Sequence, residues 1–200
     1  MTDTLELELE RIHQGFSECA LRSGPVILRH SEDAQLQDIM DRSDPGQVPD
    51  GYQAALEDYA LSLGYVVTYE DQPLNDEQQV HGFTDHTPRL FDQPGQIVID
   101  SSASPARQFA TLVHELVHAW LWNVVPMEQR LDGSNTLLEE IMAESVSGIV
   151  AGKLRCYDSG FSLRYLRRHC ARIVLVPELL EEMRPMAVQI AGEILEAVGA

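Results

Sequence analysis

Two imidazoles and a carboxylate stand in the run His114-Glu115-Leu116-Val117-His118 at the spacing a zinc hydrolase draws from one helix. A rise of about 1.5 Å per residue and about 3.6 residues per turn set His114 and His118 one turn apart on one face, within reach of a single metal ion. Glu115 is rotated by about 100° from His114. That keeps it out of the ligand set but near enough to take a proton from a metal-bound water. A catalytic zinc also wants a third protein ligand and one open position.

The pattern around the motif predicts the helix that must carry it. Phe109, Leu112, Val113, Leu116, Val117 and Trp120 recur at i, i+3, i+4, i+7, i+8 and i+11, the apolar stripe of a helix packed on a core. Ser104 followed by Pro105 reads as an N-cap with proline in the first turn, and the segment ends near Asn123. Histidines and a glutamate on the second face of a buried helix would be unpaired polar groups unless something engaged them.

No histidine follows His118 until His169, so carboxylates must supply the third ligand. Residues 136–150 read as a second helix, opened by a Thr136 to Glu139 capping box and closed near Gly152. Glu140 and Glu144 stand one turn apart on one face of it. One can bind metal while the other accepts the free N–H of a ligand imidazole and fixes the ring. Glu140 is assigned to the metal and Glu144 to the orienting role, with the reverse assignment open; Glu139 is read as a cap or solvent residue.

These residues carry a resemblance. The strand-like Gln96-Ile97-Val98-Ile99-Asp100, the His114 to His118 helix and the later Glu140-Ile141-Met142-Ala143-Glu144 resemble, in order, the ImmA/IrrE group of metallopeptidases and the related domain of ArdC-type antirestriction proteins. The similarity runs roughly from Gly51 to His169. The chain departs from that pattern at Met142, where an extra acid is usual, in lacking the Leu-Met-Pro end of that helix, and in showing no separate DNA-binding domain. The later His-Gly element of SprT-type zincins is also missing. The resemblance implies a minimal zincin-like domain of α+β fold, and the strands read along the chain are expected to form a small antiparallel three-stranded sheet packed on the motif helix and the second ligand helix, with C-terminal helices added.

The remaining elements are read accordingly. Leu56, Tyr59, Ala60 and Leu63 give a helix stopped by Gly64; strands are expected at 65–69, 80–84 and 96–100; helices follow at 162–172 and 178–198, the last interrupted or kinked at Pro185. Residues 1–50 form an N-terminal extension with a possible helix at 5–16 and strand at 26–29, residues 51–172 the zincin-like domain, and 173–200 a helical segment packed on it.

Composition bounds the rest. With 44% hydrophobic residues among 200, the chain can bury a sizeable core, and no run reaches the roughly 18 apolar residues of a membrane span. The N-terminal Met1 to Glu10 stretch lacks the features of a signal peptide, and Cys19, Cys156 and Cys170 show no disulfide or zinc spacing; both point to a reducing cytoplasm. A net charge of −18 argues against nucleic acid as a direct ligand. One basic cluster, Lys153, Arg155, Arg164, Arg167, Arg168 and Arg172, is read as a solvated face pairing with the acidic remainder or, alternatively, as a docking patch.

The expected function is therefore zinc-dependent endopeptidase activity with one Zn²⁺ per chain held by His114, His118 and Glu140, and with Glu115 as general base. Tyr165 and His169, one turn apart, are candidates to hydrogen-bond the substrate carbonyl oxygen or to line the groove, and alternatively simple packing residues. His81 and His86 are groove residues or structural ones. The resemblance implies a specific protein or peptide substrate, such as a transcriptional regulator. The competing reading is an acidic, non-catalytic binding or antirestriction protein in which the metal site is structural.

Overall fold

The computed structural model describes residues 48–71, 81–125, 135–154, 156 and 177–200. The elements in chain order are helix α1 (Tyr52–Ser62), strand β1 (Tyr65–Glu70), strand β2 (Gly82–Asp85), a 3-10 turn (Thr87–Phe91), strand β3 (Gly95–Asp100), and helices α2 (Pro105–Val124), α3 (Asn135–Leu154) and α4 (Pro177–Ala197). The architecture is α+β, as expected. The segments 5–16, 26–29 and 162–172 lie outside the described residues, as do Cys19 and Cys170.

The expected antiparallel sheet is corrected to a mixed one of order β1-β3-β2. β1 runs parallel to β3, from Tyr65 opposite Gly95 to Glu70 opposite Asp100, while β2 is antiparallel to β3, with Thr84 opposite Ile97. Burial explains the order. Ile97, Val98 and Ile99 form an unbroken buried run, the signature of a strand covered on both faces, so β3 takes the centre and the partly exposed β1 and β2 flank it. Because side chains alternate, Ile97, Ile99 and Thr84 share one face, and Val98 and Phe83 the other.

Helix boundaries follow local chemistry. Gly64 (φ +87°) ends α1 in the left-handed conformation that an L side chain disfavours. Ser104 caps α2, its Oγ accepting from Arg107 N at 3.3 Å with Pro105 in the first turn. α3 begins at Asn135, so Thr136 lies inside its first turn rather than at the cap, and it continues through Gly152 to Leu154. α4 runs through Pro185 without interruption. That proline is on the exposed side, where water can satisfy the carbonyl left without its N–H.

Phe109, Leu112, Val113, Leu116 and Val117 of α2 meet Ile97 and Ile99 of the sheet, Val146, Ile149 and Val150 of α3, and Ile190, Ala191 and Ile194 of α4 in one continuous core. α2 therefore lies at the centre, with α3 its most extensive helical neighbour. Among the described residues no helix is long and apolar enough to cross a membrane.

A polar tie fastens α4 to this arrangement. The Glu193 carboxylate accepts from Trp120 Nε1 (2.8 Å) and Tyr59 Oη (3.0 Å) through Oε2, and from Gln189 Nε2 (3.0 Å) through Oε1. Burial pushes the Glu193 pKa up, but these three donors outweigh it and leave the group below its ordinary value. Burial and the same carboxylate push the Tyr59 phenol up. A depressed folded-state pKa means that the tie stabilises the fold above the unfolded-state pKa and is lost as pH falls through the folded one. Glu193→Ala should lower stability at neutral pH by about 1–2 kcal/mol; urea titrations of both proteins from pH 7 down to pH 3 should show the difference shrinking as Glu193 is protonated in the wild type.

Candidate metal centre

α2 and α3 pack antiparallel, and their polar contacts follow that register. Ser147 Oγ donates to Ala110 O at 3.0 Å; one turn on, Glu144 meets His114; one turn further, Glu140 meets both His114 and His118. The acids face the histidines because Val146, Ile149, Val150, Met142 and Ala143 occupy the apolar sides of α3.

The contacts are specific by atom. Glu140 Oε2 lies 3.3 Å from His114 Nε2, Glu140 Oε1 lies 3.6 Å from His118 Nε2, and the two Nε2 atoms are 3.2 Å apart. His114, His118 and Glu140 thus form a group that could hold a metal ion. Tetrahedral metal–ligand distances of about 2.0–2.2 Å place neighbouring donor atoms about 3.3–3.6 Å apart. Glu140 presents a different oxygen to each ring, and one donor atom from each of the three residues lies within 4.8 Å of the others, so the donor set can close on such an ion.

Glu144 stands on the opposite side of the His114 ring. Its Oε1 is 3.1 Å from His114 Nδ1, at ion-pair distance though not aligned as a hydrogen bond, and its Oε2 has no hydrogen-bond partner among the described residues. With a relative exposure of 2%, this carboxylate is the more deeply buried of the two acids. It touches the nitrogen that points away from the donor group, where an acceptor would fix the ring.

Burial by itself pulls the His114 pKa down. The Glu140 and Glu144 carboxylates against its two nitrogens, with the charge of Glu115 adding to theirs, override that effect and hold it well above the ordinary imidazole range. Without a metal, carboxylates face both ring nitrogens of His114, which favours the protonated form of the ring. A metal ion must displace that proton to coordinate the ring.

Glu115 is buried beside this group and points toward the sheet, where Thr84 Oγ1 lies 2.8 Å from its Oε2 and 3.2 Å from its backbone O. Thr84 was not legible as a site residue. The alternation of β2 separates it from Phe83, but nothing local says which face α2 covers.

The other expected site residues are elsewhere. His86 stacks on Trp122 (centroids 4.3 Å apart, planes 8° apart), and its Nδ1 is 2.7 Å from Tyr65 Oη, fixing the far end of α2 to the sheet. His81 pairs with Asp100 at 3.3 Å where β2 and β3 begin and end. Ser102 hydrogen bonds to Asp100, opposed by burial and assisted by His81, leave that carboxyl below its usual range. Tyr165 and His169 lie outside the described residues, as does the basic cluster apart from the exposed Lys153.

Residues 60–154 match the model of the Peptidase_M78 family, described as IrrE N-terminal-like domain, and over that stretch the chain is similar to the ImmA/IrrE-like metallopeptidases. The match spans β1 to the end of α3 and so contains the whole donor group. No curated protein and no solved structure matches the chain.

Carboxylates that favour a protonated His114 make metal uptake a proton-releasing event. Calorimetric titration of the metal-free protein with Zn²⁺ at pH 7, in two buffers of different ionisation enthalpy, should report release of about one proton per ion bound. Affinity should fall as pH is lowered and the proton competes more strongly. Equal heats in the two buffers would contradict a protonated His114.

Proposed function

We propose that this chain is a zinc-dependent endopeptidase, and the observation that carries the reading is the group of donor residues His114, His118 and Glu140 with a buried carboxylate, Glu115, beside it. His114, His118 and Glu140 would hold Zn²⁺, with Glu144 orienting His114. The ion when bound supplies Lewis-acid polarisation of a peptide carbonyl and of water.

The chain's own groups do the rest. Glu115 accepts the proton of the water that attacks the carbonyl carbon and delivers it to the departing amine, so one carboxylate serves as base and then as acid. It is adjacent in sequence to His114 and cannot turn into the donor group without leaving its place on α2, which reserves it for proton transfer. β2 has no strand on its outer side among the described residues, and an extended peptide laid along it would pass beside Thr84 and Glu115. Tyr165 and His169 complete the proposal as donors to the carbonyl oxygen as it gains charge. A specific protein in the cytoplasm, such as a transcriptional regulator, is the proposed substrate class; the acidic surface of a chain with net charge −18 favours a protein over a nucleic acid.

Glu115→Gln should keep the fold and the bound zinc while lowering peptide hydrolysis about 10²–10⁴-fold. Glu140→Ala should lose the metal, and Glu144→Ala should bind it about 10–100-fold more weakly. Metal content by mass spectrometry, read beside cleavage of a peptide library, checks all three. A biological effect that Glu115→Gln leaves unchanged would instead support a non-catalytic acidic binding protein.

A further inference from the structure

We infer that Thr84 is a positioning residue for Glu115, a role that rests on the peptidase reading and adds to it the device that sets the base. The Thr84 hydroxyl has one proton and two acceptors in range, the Glu115 carboxylate at 2.8 Å and the Glu115 carbonyl at 3.2 Å. A carbonyl in the middle of an α-helix already accepts the N–H four residues on. The carboxylate is both nearer and charged, so it takes the proton in a charge-assisted bond. Pinning Oε2 fixes the rotamer of Glu115 and leaves Oε1 as the oxygen that accepts a proton.

The strand is built to deliver this contact. Thr84 faces α2 because its partner Ile97 faces the core. Two residues earlier, Gly82 lets β2 approach α2 closely: a Cβ there would lie 2.6 Å from Thr111 Cγ2 and 2.9 Å from Val98 O. Two residues later, His86 stacks on Trp122. β2 is therefore held against α2 on both sides of Thr84, at Thr111 and Trp122, with Glu115 between them. A side chain kept by strand packing and reaching, among the described residues, the proton-transfer group alone positions that group without touching a metal ligand.

The test uses zinc-loaded protein and acetohydroxamic acid, which chelates zinc and shares its hydroxyl proton with an adjacent carboxylate. Binding is measured by calorimetry for wild type, Thr84→Val, Thr84→Ser and Glu115→Gln, with zinc content and Tm recorded for each. Thr84→Val should weaken binding about tenfold with zinc content unchanged, and Thr84→Ser should restore it. On a cleaved peptide the same loss should appear in kcat with KM little altered. If valine disturbs the strand and lowers Tm, Thr84→Ala repeats the comparison with a smaller side chain. Wild-type affinity in Thr84→Val and Thr84→Ala, with Glu115→Gln weakened, would overturn the role of Thr84 and leave Glu115 as base. Wild-type affinity in Glu115→Gln would overturn the base assignment itself, and Thr84 with it.

Discussion

Three buried ionisable side chains, His114, Glu115 and Glu144, and the partly exposed Glu140 cluster around α2 beside an apolar core, and the fold has to make that tolerable. An unpaired buried charge costs several kcal/mol. Here each carboxylate of α3 lies against an imidazole of α2, and the antiparallel register repeats the match over successive turns from Ser147 to Glu140. The pairing makes the cluster tolerable in the absence of metal. It also brings a donor atom of each of His114, His118 and Glu140 within 4.8 Å of the others, close enough to share one ion.

That arrangement gives α2 its central place. One side of the helix must be apolar to bury against the sheet, α3 and α4; another must carry the histidines toward α3; a third must turn Glu115 toward β2. A helix surrounded on all sides has few ways to move. Glu193 reinforces this from α4 by holding Trp120 just beyond the motif, and His86 does so from the sheet by stacking on Trp122. The polar groups outside the donor cluster thus fix the last turns of α2, so that the histidines one turn back keep their relative placement.

The two glutamates of α3 show how little separates a metal-facing residue from an orienting one. Glu140 bridges both Nε2 atoms and keeps some exposure; Glu144, one turn on, is more buried and meets the far nitrogen of a single ring. The same side chain at two successive turns meets opposite edges of His114 because the ring lies between them. A carboxylate with one oxygen unpartnered, as Glu144 has among the described residues, is tolerated where the imidazole it meets carries a proton or a metal.

What the sequence determined by itself is whatever depends on neighbours a few residues away. The Ser104 cap, the apolar stripe of α2, the stop at Gly64 and the one-turn spacing of His114 and His118 follow from helix geometry, and the structure has each of them where the residues place it. The candidate acids were legible as a pair, Glu140 and Glu144, but not which edge of His114 each would meet. Only tertiary structure decided that, along with the central position of β3, the unbroken course of α4 through Pro185 and the reach of Thr84 to Glu115. The physical reason is the same throughout: strand order, helix register and the face a short strand presents depend on contacts between residues far apart in the chain, and no local pattern encodes which distant surface will be there.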